Sequence, residues 1–402
     1  MLALFAGVAA IYVAFQGFAP QSLGDYGTEA APAMNALLAG HVHAFFGLEP
    51  AYGGSLLLRA PFALVAKLLG GGQFAIYRAG AFVCVLACGL LGVWLATRMR
   101  KHAQPAVAWL PVLLICALAP LITGAIANGH PEEALGAGLC VAAVLLAAAG
   151  RASIAGLALG LAIVTKQWGV LAALPALLAV PAASGARARI RLAVIAAALP
   201  AVQLLVAHLE ASGGQTALVG GAQVAGFAHA FDLWWPLAHA TRHLGVGTPP
   251  FWINNWSPPA FVAAHAHELI VALSLPLAAI VVRCHGWTPR LETCLALLAL
   301  LFLLRCVLDP QDLFYYHLPL IVALAAWEGY ARRGAPWLTL SALLLLYGVF
   351  DQISPADAHS WAGFWAYIAV TLPLAAYLLA QLGRRVGRPA VIASRSAATA
   401  HS

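Results

Sequence analysis

The chain has 402 residues, of which 63% are hydrophobic and only 9% charged, and its mean hydropathy is +0.88. Soluble domains carry about 25% charged residues, so the composition excludes a soluble enzyme and indicates a polytopic membrane protein. The net charge of +7 is spread over short connecting loops instead of forming one basic face, which argues against a nucleic-acid partner.

Apolar runs of about 18 residues recur from end to end, the length of a transmembrane helix. The pattern predicts helices near residues 2–19, 74–97, 106–126, 132–149, 153–166, 168–182, 191–208, 262–283, 291–308, 315–331, 336–351 and 360–383. The first run has no basic segment before it and continues to Ala19, so it reads as a helix and not as a cleavable signal. Polar loops at 20–73, with short amphipathic pieces, and at 209–261, rich in Gly, Pro and Trp, interrupt the series. The expected architecture is all-α: about twelve crossings in one transmembrane domain, residues 1–385, with both termini cytoplasmic. A basic tail, 386–402, follows and reads as disordered. The seven cysteines lie in or beside apolar runs with no CxxC pair, and read as small core residues.

Basic residues orient the chain. With both termini inside, all of the 21 Lys and Arg except Arg59, Lys67, Arg78, Lys166, Arg242 and Arg305 fall on the inner side. Of the 14 Asp and Glu, all but Glu292 and Glu328 fall on or near the outer side. Acidic residues barely influence topology, so this bias points to a site on the outer face. The unusual residues gather there too.

Ala127–Glu133 puts His130 and two carboxylates between two apolar runs, with Pro131 suited to the first turn of a helix and Glu132 and Glu133 favoured at its positive end. This is either an acidic helix start or a polar cluster facing a substrate. Asp25 follows Gly24 soon after the first run, beside Tyr26 and Glu29; it is a turn residue or a general base at the membrane surface. Lys166 interrupts what would otherwise be one apolar run, and a lysine there marks a functional place by default. We expect two short helices meeting near the outer face, with Lys166 at their turn, directed into a cavity and toward a phosphate. The plain alternative is snorkelling to the headgroups.

Tyr315-Tyr316-His317 opens the tenth run after Asp309-Pro310. The tyrosines suit an interfacial belt. His317, one turn in, suits a pairing with a carboxylate across the bundle or a neutral structural role. Arg305 is a second candidate anion ligand, or an ion-pair partner of Asp309 four residues on. His265 and Glu268 share a helix face while His267 points elsewhere; no HExxH is present, and no metal site is expected. The tryptophans of 234–256, Trp256 among them, are interfacial anchors or sugar-stacking surfaces. No Walker or GxGxxG sequence suggests a soluble nucleotide donor.

Four of these features together resemble the GT-C superfamily of integral-membrane glycosyltransferases, and glycosyltransferase family 87 in particular. They are Asp25 in the first outer loop, the Asn128-Gly129-His130 turn, the run Gly156–Lys166 (GLALGLAIVTK), and Asp309-Pro310 with Tyr315-Tyr316-His317. The resemblance covers about residues 1 to 385. It implies an inverting transfer of a hexose, mannose by preference, from a polyprenyl-phosphate donor to a lipid or glycan acceptor. The reaction would proceed on the extracytoplasmic face of a bacterial inner membrane, without metal or other cofactor. In that scheme Asp25 deprotonates the acceptor and His317 orients it or contacts the donor phosphate. Lys166, Arg305 and Tyr316 bind that phosphate. Glu29, Asn128, His130, Glu133 and Trp256 hold the sugar or acceptor. A secondary transporter or flippase would also fit the break at Lys166-Gln167, although no internal repeat accompanies it. A non-catalytic binder of lipid-linked sugar would share the same pattern.

Overall fold

The computed structural model describes residues 1–16, 23–50, 52–210, 231–245, 251–332, 334–352 and 361–384. The expected tail over 386–402 and parts of the loop over 209–261 lie outside the described residues.

Each of the twelve expected apolar runs is helical over most of its described residues. In chain order the first is α1 (Leu2–Gln16). The loop expected over 20–73 is itself largely helical: a π-helical turn at Tyr26–Ala30, then α2 (Ala31–Leu38), α3 (Val42–Leu48) and α4 (Gly53–Leu68). In α4 the buried Leu56, Arg59 and Ala63 recur at helical spacing on one face, while Leu57, Leu64 and Leu68 stay exposed on the other.

The chain continues through α5 (Gln73–Lys101), α6 (Ala106–Leu118) and α7 (Pro120–Ala127). The run expected at 106–126 breaks at Ala119, which is extended at φ −57°, ψ 141°, because a following proline disfavours the helical region. Next come α8 (Glu132–Ala148) and α9 (Ala152–Thr165). Lys166 is extended, φ −152° and ψ 129°, and a 3₁₀ turn at Gln167–Ala172 leads into α10 (Ala173–Ala179). The expected pair of short helices with Lys166 at their turn is thus present. α11 (Gly185–Glu210) is followed by a hairpin, β1 (His239–Gly245) and β2 (Phe251–Ser257), antiparallel with His239 opposite Ser257. This hairpin is the one sheet among the described residues, and it was not expected. α12 (Ala260–His285), α13 (Leu291–Leu308), a 3₁₀ turn at Phe314–His317, α14 (Leu318–Ala331), α15 (Trp337–Gln352) and α16 (Trp361–Gly383) complete the chain.

Six segments are long and apolar enough to cross a membrane: residues 73–101, 106–127, 182–210, 260–285, 291–308 and 361–383. The others are shorter; α8 has 17 residues and α14 has 14, against the ~20 that a full crossing needs.

The centre of the bundle is α13 against α14, both buried along nearly their whole length, with α8 beside them. α9 lies against α11 through its two small residues. A Cβ at Gly156 would stand 2.7 Å from the Leu192 carbonyl oxygen, and one at Gly160 would stand 3.0 Å from that of Ala196. The Gly156–Lys166 run therefore contains a small-xxx-small face that brings two backbones into contact. At the far end of α14 the buried Glu328 accepts hydrogen bonds from the Leu338 and Thr339 amides at 3.2 and 2.7 Å and from the Thr339 hydroxyl at 2.7 Å. A carboxylate there occupies the positive end of α15 and satisfies its free amides.

Candidate active site

Two tight turns build the site. Gly24 (φ +55°) and Gly129 (φ +91°) lie back to back: a Cβ on Gly24 would stand 2.5 Å from the Asn128 carbonyl carbon, and one on Gly129 would stand 2.4 Å from the Tyr26 nitrogen. Only glycine tolerates both this backbone and this approach. The Asp25 amide donates to the Asn128 carbonyl at 3.0 Å, and the Asn128 side chain donates to Gly124 O at 2.8 Å. Asn128 therefore acts here through its backbone. The consequence is that Asp25 and His130, 105 residues apart in sequence, face each other.

His130 Nε2 lies 3.1 Å from Asp25 Oδ2, and its Nδ1 lies 2.8 Å from Glu132 Oε1. With a carboxylate at each ring nitrogen, the doubly protonated ring satisfies both contacts. Burial works against that charge, and Lys166 opposes it too, but the two carboxylates prevail and the His130 pKa rises to about 8. In return the hydrogen bond from His130 holds the Asp25 carboxyl below its ordinary range, against a smaller effect of burial. Asp25 is the open end of the chain: its side chain is 55% exposed, against 8% for His130 and 0% for Glu132.

Behind His130 the charges alternate inward. Lys166 Nζ is 3.2 Å from Glu132 Oε1 and 3.4 Å from Glu133 Oε1. Glu132 Oε2 meets Arg59 Nη1 at 3.4 Å, in full burial. Glu133 Oε1 meets Arg305 Nη2 at 3.5 Å and accepts from the Trp168 indole at 3.3 Å, while its Oε2 is buried with no hydrogen-bond partner among the described residues. Aromatic faces close the ring. Lys166 sits 4.6 Å from the Tyr52 ring centroid, and Arg305 lies 4.6 Å from that of Tyr316 and 5.0 Å from that of Trp168. Tyr315 stacks on His130 at 5.6 Å, and the Tyr52 hydroxyl donates to Glu29 at 2.7 Å.

Of the candidates read from the sequence, the structure brings together Asp25, Glu29, Asn128, His130, Glu133, Lys166, Arg305 and Tyr316. It does not bring in His317 or Trp256. His317 is fully buried, with Nε2 3.3 Å from Asp312 Oδ2 and 3.1 Å from the Tyr367 hydroxyl. The 3₁₀ turn explains this: with three residues per turn, neighbouring side chains diverge by about 120°, so Tyr315, Tyr316 and His317 face three different surroundings. Trp256 lies partly buried with its ring 4.8 Å from Trp235, in a separate apolar group with Phe364.

Two expectations about partners change. Lys166 pairs with two carboxylates, because α8 presents both glutamates at its first turn. Arg305 pairs with Glu133 and not with Asp309, because α13 ends at Leu308 and Asp309 turns away to His267 at 3.5 Å. His265 and Glu268 are 4.0 Å apart, as their spacing predicts. Asp25, Glu29 and His130 offer ligand atoms within 4.8 Å of one another, as do the buried Cys306, Asp312 and His317. These are the two places among the described residues where a cation's ligands converge.

No protein-family model matches the sequence, and no curated protein matches it. Among solved structures, the chain is similar to the crystal structure of ArnT from Cupriavidus metallidurans bound to undecaprenyl phosphate. The two are 17% identical with a TM-score of 0.49, over 95% of this chain and 73% of that one.

Sequence reasoning missed Arg59, Tyr52 and Tyr367. Arg59 left one trace, a lone cation in the apolar stretch Leu56–Leu64 outside the inner loops. Tyr52 and Tyr367 left none, since a tyrosine near a membrane boundary is commonplace.

Proposed function

We propose that the protein is an integral-membrane glycosyltransferase that moves a hexose, mannose by preference, from a polyprenyl-phosphate donor to a lipid or glycan acceptor on the outer face of the membrane. The observation that carries this reading is the exposed Asp25 at the head of a buried chain of paired charges, in which Lys166 meets Glu132 and Glu133 and Arg305 meets Glu133. The four-motif resemblance to GT-C enzymes points the same way. The acceptor hydroxyl attacks the sugar's anomeric carbon, the bond from that carbon to the phosphate oxygen breaks, and the electron pair leaves on the phosphate. The hydroxyl proton goes to Asp25. Attack from the face opposite the phosphate inverts the anomeric centre, and no metal is required.

The charge on the leaving phosphate grows in the transition state, so fixed cations lower the barrier. Lys166, partly exposed, meets the phosphate first, with Arg305 and Tyr316 behind it. Glu29, His130 and Glu133 surround the sugar and acceptor. His317 acts as a positioning residue, holding the turn that carries Tyr315 and Tyr316.

The test is incubation of the purified protein with radiolabelled polyprenyl-phosphate mannose and a membrane lipid extract, beside Asp25→Asn. We expect a labelled glycolipid whose formation falls about 10²–10⁴-fold in the variant. Undiminished transfer by Asp25→Asn removes Asp25 as the base. Donor binding without any product favours a non-catalytic binder of lipid-linked sugar.

A further inference from the structure

A cleft of about 690 Å³ lies between α10, α11 and α12, and none of the candidate site residues lines it. α12 begins near that site, where His267 meets Asp309. Arg283, at the cleft, comes sixteen residues later, ~24 Å along the helix axis. The cleft exists because α10 is only seven residues long and stops before Pro181, whereas α11 and α12 each run for 26 residues. Leu174, Leu275 and Ala279 are among the apolar residues that line it. Leu275 is 64% exposed, so the cleft opens to the surface that faces lipid.

Its charged lining residues are Arg189 and Arg283, and Trp287 lines it as well. Arg189 donates to the carbonyls of Leu177, Val180 and Trp287 at 3.3, 3.3 and 3.0 Å, which fixes its position without cancelling its charge. Arg283 is exposed. Neither guanidinium forms an ion pair with a carboxylate among the described residues. An apolar slot with two uncompensated cations and a tryptophan at its mouth matches the two halves of an anionic lipid: chain in the slot, phosphate at the arginines, indole at headgroup depth.

We propose that this cleft is a binding site for an anionic glycerophospholipid, one acyl chain between α10, α11 and α12 and the phosphate at Arg283 and Arg189. The bound lipid fills the space beside α10, whose preceding turn carries Trp168.

The test is native mass spectrometry of the purified full chain titrated with phosphatidylglycerol and with phosphatidylcholine of the same acyl chains. We expect phosphatidylglycerol to be retained about fivefold more strongly, in line with the contribution of a single basic residue near an anionic surface. Arg283→Gln brings the two lipids close to parity, and Ala279→Phe lowers retention of both. Arg283 is exposed and has no ion-pair partner among the described residues, so its variant decides the matter even if Ala279→Phe does not fold. Equal retention of the two lipids by the unaltered protein overturns the proposal, as does a preference that survives Arg283→Gln. Displacement of phosphatidylglycerol by an equal concentration of polyprenyl phosphate also overturns it, and assigns the slot to an isoprenoid chain instead.

Discussion

His130 is gripped from both sides by carboxylates, and this makes its charge part of the fold. Its pKa is raised, so its contribution to stability is fully present below its ordinary value of about 6.5 and is lost as the pH rises through about 8. The size follows from the shift, ~2 kcal/mol at most. Thermal unfolding of the purified protein from pH 6 to 9 should show a fall in stability across that window that is absent from His130→Gln. Equal slopes in the two proteins would mean that the ring is not charged between Asp25 and Glu132.

Glu132 carries more, since it touches His130, Lys166 and Arg59 at once. Removing a buried charge from such a network leaves its partners uncompensated, at a cost of ~3–5 kcal/mol. Glu132→Gln should therefore unfold at a markedly lower temperature. Arg59→Met in the same chain should recover part of the loss, because it removes a cation whose one ion pair among the described residues is with Glu132. A double-mutant cycle measures the coupling, and additive effects would deny the pairing.

At the scale of elements, the α9–α11 contact shows a sequence motif with two uses. The Gly156–Lys166 run ends in the lysine of the site, yet its glycines serve packing, with Gly160 against Ala196 and Gly156 against Leu192. A leucine at Gly160 has to push the two backbones apart. Overpacking of this kind costs ~1–3 kcal/mol, so Gly160→Leu should lower the melting temperature while Gly47→Ala, with nothing within 4 Å, should not. Because α9 sets where Lys166 emerges, transfer activity should fall along with stability in Gly160→Leu.

At the scale of the whole molecule, the paired charges and the arginine-flanked cleft lie at opposite ends of the bundle, and the basic loops predict which end faces the cytoplasm. Single cysteines can read this. A cysteine replacing the exposed Glu268 should react with a membrane-impermeant maleimide in intact cells, whereas one replacing Trp287 should react only after permeabilisation. The reverse pattern would place the candidate site inside and end the reading of outer-face transfer.

The sequence by itself determined that the long apolar runs are helical and where the basic and acidic residues divide. Both properties are local or additive. An apolar run must close its own backbone hydrogen bonds wherever it lies, and loop charge is counted loop by loop. It also singled out Lys166 within an apolar stretch, His130 and Glu133 between two apolar runs, and Asp25 in the loop soon after the first run. Tertiary structure alone decided which of them meet. The Gly24–Gly129 approach joins two turns about a hundred residues apart, and no spacing rule spans such a distance. It also decided that Lys166 and Arg305 face carboxylates, that His317 turns toward Asp312, and that Arg59 is buried. Each of these depends on which way a side chain leaves its helix and on what another helix presents there, and neither is encoded within one window of sequence.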